Sequence, residues 1–164
     1  MQLNVFLTGA TGYIGGAVAD ALLRAGHKVT GLARSPEATH RLRAKGITAF
    51  DGDLNWPANL AKAAAQSDGV IHAGTTNDGA IDQTAVRAML DALRASSKPL
   101  LYTSGIWVLG DTGGRIADET WPVNPTALVA WRPKAEQVIL EASSTGVRSI
   151  VIRPGIVYGR GGGI

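Results

Sequence analysis

At 164 residues the chain has room for one domain with a sizeable core and no need of a second. An apolar content of 45% with 18% charged residues is that of a soluble globular protein, no apolar run approaches the ~20 residues of a membrane helix, and no secretory signal opens the chain, so a cytosolic protein without a membrane partner is expected. The absence of cysteine excludes disulfides, thiolate metal sites and a cysteine nucleophile, the +3 formal charge is too dispersed for nucleic acid, and His27, His40 and His72 stand too far apart to suggest a metal site.

Strands and helices alternate along the chain. Residues 3–8 read as a buried strand, and small or apolar residues at Ile14, Ala17, Val18, Ala21, Leu22 and Ala25 predict a helix over 13–25 that Gly26 ends. A strand at 28–33, a helix at 36–45 closed by Gly46 and a strand at 47–50 follow. Pro57 suits the first turn of a helix reaching Ser67. The remainder reads as a strand at 69–73, a helix at 80–96, a strand at 99–103, a long loop at 105–124, a helix at 126–144 and a last strand at 148–152. Continuous apolar runs such as "GVIHA" and "SIVI" indicate strands covered on both faces. The expected fold is therefore a doubly wound α/β (Rossmann) sheet in three layers, of strand order 3-2-1-4-5-6, with ligands outside the carboxyl ends of strands one and four.

The most informative stretch is "FLTGATGYIGGAVADALL", residues 6–23. Gly9 can turn the chain, Gly12 lets backbone approach a ligand, and Gly15 lets the helix pack closely on the sheet. The start of that helix presents unpaired N–H groups and the positive end of its dipole, which a pyrophosphate satisfies. No Gly-Lys-Ser/Thr ending follows, so a nucleoside triphosphatase loop is disfavoured.

The ordered motifs "TGATGYIG", "DGDL", "VIHAG", "YTSGIWVLG" and "RPGIVYG" cover nearly the whole chain. In them the sequence resembles the extended and atypical short-chain dehydrogenase/reductases, which include the NAD-dependent epimerase/dehydratases. The resemblance implies a cofactor turn running through Gly9, Thr11, Gly12, Tyr13, Ile14 and Gly15. It places Asp53 and Leu54 beside the adenine, although Asp53 also suits a turn or cap. Ala73 and Gly74 would face the adenosine ribose and phosphates through backbone, His72 being read as a packed strand residue. Thr103 and Ser104 would lie beside the nicotinamide, and Pro154, Gly155, Ile156 and Val157 would line its carboxamide. At the end of strand two, where an acid would bond a ribose 2′-OH, stand Ala33 and Arg34. Arg34 with Ser35 suits a 2′-phosphate, so NADP is favoured over NAD, an exposed, merely solvated Arg34 being the other reading.

The resemblance also implies a catalytic Tyr four residues before a Lys, with a Ser or Thr orienting the substrate oxygen. Here "NPTALVAWRPKAEQ" offers Lys134 but Ala130 at the tyrosine position, and Gly105 stands at the usual hydroxyl position with Ser104 one residue away. Ser104 and Lys134 remain as catalytic candidates, Lys134 toward the nicotinamide ribose or else on the surface. Trp131 would supply an aromatic wall, and Tyr13, Tyr102 and Tyr158 are the substitute phenols, Tyr102 reading as packed. The loop carrying Trp107, Asp111, Asp118, Glu119 and Trp121 is a candidate to contact substrate.

Residues 1–157 are thus expected to form the NAD(P)-binding domain and 158–164 the start of a substrate domain. Ile81, Met89, Leu93, Val138 and Leu140 suit either the core or a homodimer helix bundle, the core being the preferred reading. Function divides between an oxidoreductase or epimerase-like enzyme acting on a small carbonyl, alcohol or sugar-derived substrate and a non-catalytic NADP(H) sensor. Three glycines at one turn argue against a purely structural protein.

Overall fold

The computed structural model describes residues 1–159 and 161–163. Six parallel strands, β1 (Asn4–Thr8), β2 (Lys28–Ala33), β3 (Thr48–Asp51), β4 (Gly69–His72), β5 (Pro99–Thr103) and β6 (Arg148–Ile152), form one sheet of order β3-β2-β1-β4-β5-β6. Helices α1 (Tyr13–Arg24), α2 (Pro36–Ala44), α3 (Pro57–Ala65), α4 (Gly79–Ala92) and α5 (Arg132–Glu141) cross between them. This is the expected doubly wound Rossmann arrangement, and its winding reverses between β1 and β4.

Adjacent residues of β1 face opposite layers, as the pleat requires. Phe6 joins a core with Leu60 of α3, Met89 of α4 and Ile139 of α5, whereas Leu7 joins a second with Ala19 of α1 and Leu42 of α2. Central β4 is covered on both sides, as "GVIHA" suggests. Edge strand β6 is not: Ile150 and Ile152 are 40% and 45% exposed, because α1 and α2 serve the β1–β3 half of the sheet and α5 covers only one face of β6. Its apolar run is therefore half-covered rather than buried.

The helix expected over 126–144 is broken into three pieces. A short 3₁₀ turn at Ala127–Val129 precedes α5, and another at Ala142–Thr145 follows it. Pro133 stands at the second position of α5 and has no N–H to give to a carbonyl four residues back, so a continuous helix through it is disfavoured. Helix α4 ends at Ala92 rather than 96, with Ala95 and Ser97 in the left-handed region. The expected loop at 105–124 contains one 3₁₀ turn, Ile106–Leu109.

Beyond β6, β7 (Tyr158–Gly159) and β8 (Gly162–Gly163) pair antiparallel, and the Tyr13 hydroxyl donates to the Gly159 carbonyl at 2.7 Å. Arg160 and Ile164, part of the expected start of a substrate domain, lie outside the described residues.

Candidate functional site

The glycine turn lies where β1 and β4 end side by side. Gly9 has φ +72°, and a Cβ there would lie 2.5 Å from the Ala73 carbonyl oxygen, so only glycine fits both conformation and space. The Gly12 N–H donates to the Gly9 carbonyl at 2.8 Å and closes the turn, with Thr11 exposed on it. A Cβ on Gly15 would lie 2.1 Å from the same Gly9 oxygen, which brings the first turn of α1 against the strand end. The N-cap of α1 is Gly12, which has no side chain to satisfy the first helical amides. Those amides and the positive helix end open onto a cleft of about 890 Å³, within the size range of small-molecule sites.

The cleft brings together many of the residues expected around the cofactor. Gly12, Tyr13, Ile14 and Gly15 form one wall with Ala73, and Ser104 with Pro154, Gly155, Ile156 and Val157 forms the other. Gly74 stands just behind, its N–H donating to Thr8 Oγ1 at 3.2 Å. Thr103 ends β5 without entering the lining.

Around the residues expected to face adenosine, several polar groups are already engaged. Arg34 follows β2 and is exposed, next to the fully buried Ala33. Ser35 is the N-cap of α2, its Oγ accepting from the Ala38 N–H at 3.2 Å. The Ser35 hydroxyl is also the first cause holding the Glu37 carboxyl below its usual range. Asp53 Oδ1 accepts from the Asn55 backbone N–H at 2.9 Å and from its Nδ2 at 2.7 Å, so one carboxylate oxygen secures the turn into α3. Leu54 is buried in the core against that helix.

The other end of the cleft departs furthest from expectation. Lys134 is exposed and outside the lining; Arg132, two residues earlier, is half-buried and inside it, and four residues before Arg132 the same wall carries Leu128. No residue type in the sequence marked Arg132 as different from any helical arginine; the signal available was Pro133, which sets the start of α5 and thereby the direction of the residues before it. Trp131 lines the cleft, as expected of an aromatic wall.

Beneath this end lies a buried polar cluster. His72 Nδ1 and Thr8 Oγ1 are 2.7 Å apart, and the imidazole stacks on Tyr102 at 5.6 Å between centroids. With Gly74 N–H donating to the threonine, the Thr8 hydroxyl is free to donate to Nδ1, and Nε2 is buried without a partner among the described residues. Burial pushes His72 down to about 4, the Asp82 carboxylate opposing and the Arg132 guanidinium adding to the effect. Burial likewise pushes the Tyr102 phenol up to about 12, against the pull of Arg132. Asp82 is itself occupied, accepting from the Thr76 N–H at 2.9 Å and from the hydroxyls of Thr76 and Thr75.

The substitute phenols thus fall into three environments. Tyr102 is core, Tyr13 lines the cleft but donates to Gly159, and Tyr158 is exposed and outside the lining. From the long loop Gly105, Ile106 and Trp107 reach the cleft. Asp111 and Asp118 accept from nearby loop amides, and Trp121 carries the Arg115 guanidinium 4.6 Å from its ring centre. Met89 and Leu93 are fully buried, in keeping with the core reading, and Leu140 is half exposed.

A parallel sheet with an uncapped glycine turn at its winding reversal defines a dinucleotide-binding Rossmann domain. The family is given by the model for NAD(P)H-binding domains, which matches residues 9–162, and the chain belongs to that family. It is 38% identical over 97% of its length to an uncharacterised protein of Saccharomyces cerevisiae, covering 56% of that protein. It is 29% identical over 96% of its length to the 4-hydroxy-2-methyl-3-oxo-4-farnesyl-3,4-dihydroquinoline-1-oxide ketoreductase of Stigmatella aurantiaca, covering 51% of it. Among solved structures, the Thermus thermophilus UDP-glucose 4-epimerase in complex with NAD superposes with a TM-score of 0.77 at 24% identity, over 95% of this chain and 56% of that one. The chain spans about half the length of the relatives it matches.

Proposed function

We propose that this chain is the cofactor-binding part of an NADP(H)-dependent oxidoreductase that interconverts a carbonyl and an alcohol on a small organic substrate. The observation that carries the reading is the α1 mouth: three glycines at which side chains would collide or cover, and a helix start with no cap of its own. A diphosphate fits that chemistry, since it supplies acceptors for the free amides and charge for the helix dipole. Gly12 to Gly15 would hold it, Ala73 and Gly74 would adjoin the adenosine ribose, Asp53 and Leu54 the adenine, and Pro154 to Val157 would line the nicotinamide. When bound, the dinucleotide supplies or accepts a hydride.

The chain's own residues shape what happens beside it. Trp107, Trp131 and Leu128 would give the reacting end an apolar wall. Ser104, in the cleft lining, would orient a substrate oxygen, its N–H donating to the Ile152 carbonyl at 2.8 Å and fixing the backbone that carries the hydroxyl. Named relatives of this chain include a ketoreductase, a 2-alkyl-3-oxoalkanoate reductase of Shewanella oneidensis and a decarboxylating sterol-4-alpha-carboxylate 3-dehydrogenase of Dictyostelium discoideum. All three names describe chemistry between a carbonyl and a hydroxyl group, which favours that reaction over epimerisation.

Cofactor preference rests on Arg34. With Ala33 in the acid's place and an exposed guanidinium beside it, NADPH is expected to bind more tightly than NADH, and Arg34→Ala to remove most of the difference. Titration of both reduced dinucleotides by fluorescence tests this, and equal dissociation constants in the parent protein would refute it. A second reading, a non-catalytic NADP(H) sensor, is favoured by Leu128 and Ala130, neither of which can move a proton. NADPH consumption by the full-length protein over a panel of carbonyl compounds separates the two; no turnover across the panel would favour the sensor.

A further inference from the structure

Arg132 is a half-buried cation without a counter-charge. No carboxylate lies within ion-pair distance of it among the described residues. The nearest acid on its own helix, Glu136, is committed to Arg153, which donates through Nε at 3.1 Å and Nη2 at 2.6 Å. Asp82, the other acid facing this cluster, is occupied by Thr75 and Thr76. Among the described residues Arg132 Nε is buried with no hydrogen-bond partner, and so is Ser104 Oγ, on a residue that is only 5% exposed.

Both residues border Gly105, and all three line the cleft. Ser104 precedes it in the chain, and a Cβ built on Gly105 would lie 3.5 Å from Arg132 Nη1, so the missing side chain leaves the guanidinium uncovered. Arg132 is also the first residue of α5, where the helix adds its positive end. A half-buried guanidinium whose near neighbour is the Trp131 ring, 5.4 Å from Cζ to the ring centre, and a buried hydroxyl without a partner among the described residues leave donors that an anion of the right shape would take up. The planar fork of a guanidinium matches two coplanar oxygens, and the apolar walls from Trp107, Leu128 and Trp131 disfavour the double charge of a phosphate.

We propose that Arg132 and Ser104 form a carboxylate-binding subsite, so that the substrate is a carbonyl or hydroxy compound that also carries a carboxylate group. The inference rests on the oxidoreductase reading for its substrate, but the subsite is defined by this chain's own groups. Arg132 holds the carboxylate through paired N–H donors, and the Ser104 hydroxyl donates to one of its oxygens.

The test uses acetoacetate and its neutral isostere acetoacetamide, titrated without dinucleotide into the parent protein. Binding is read from tryptophan fluorescence, since Trp107 and Trp131 line the same cleft. Acetoacetate should bind at least about tenfold more tightly than the amide. Arg132→Gln should abolish that preference, Arg132→Lys should retain part of it, and Ser104→Ala should weaken acetoacetate binding severalfold. Arg94→Gln, on an exposed side chain outside the cleft, should leave it intact. Equal binding of acid and amide by the parent protein overturns the proposal without any variant. So does a preference that survives Arg132→Gln, including the case in which that variant weakens only dinucleotide binding. Carboxylate preference in a protein that binds no dinucleotide would leave the subsite standing and remove the oxidoreductase reading; the converse result would remove the subsite alone.

Discussion

The two ends of the cleft are built differently. At the α1 mouth the fold admits one solution: backbone passes so close to backbone that Gly9 and Gly15 have no room for a Cβ, and the site is made of amides. At the α5 end the site is made of side chains, and an exchange of side chains there leaves the fold intact. The binding half is therefore tied to the architecture, and the reacting half is free to change. Here it carries Leu128 and Arg132 on one wall, neither of them a phenol or an ammonium.

This contrast can be broken most forcefully at Gly15. A Cβ 2.1 Å from the Gly9 oxygen has no room unless strand and helix separate, so Gly15→Ala should cost about 3 kcal/mol or more of stability in a urea melt. A loss below about 1 kcal/mol would show that the turn is looser than its glycines imply.

His72 sharpens the comparison from beneath the reacting end. Its ring is kept neutral by burial, so the unfolded chain takes up the proton at a higher pH than the folded one does. The stability linked to His72 is complete above pH 6.5, falls as pH drops toward about 4, and is lost below that; it amounts to at most about 3 kcal/mol. Denaturation curves across that window should show the slope in the parent protein and a flatter one in His72→Asn. The smallest effect is expected at Lys134, whose exposed position outside the cleft predicts that Lys134→Ala changes the dinucleotide dissociation constant by less than about twofold. A larger loss would return Lys134 to the ribose.

The order of strands and the phosphate turn could be read from the sequence because both depend on short-range patterns: apolar runs of strand length, and glycines at fixed offsets from a strand end. The reacting end could not be read in the same way. Its geometry follows from where a helix begins, and Pro133 breaks the expected 126–144 helix so that Arg132 rather than Lys134 enters the cleft. The exposed outer residues of β6 escaped notice for a related reason: an apolar run records what the strand offers, and coverage depends on which helices the rest of the chain provides. Ser35 shows the same limit at close range, since its hydroxyl caps α2, whereas the turn role of Asp53 was legible in the sequence.

The most direct measurement is a titration of NADPH against the parent protein and against Gly12→Asp. An aspartate at the N-cap satisfies the first amides of α1 itself, which offsets the 3.2 Å approach of its Cβ to the Gly9 carbonyl oxygen while setting a negative charge where the diphosphate would lie. Saturable binding by the parent, weakened at least about a hundredfold in a variant that melts no lower, is the expected result. A parent protein that binds no dinucleotide, or a Gly12→Asp variant that binds it as tightly, would contradict the assignment of the α1 mouth as the cofactor site.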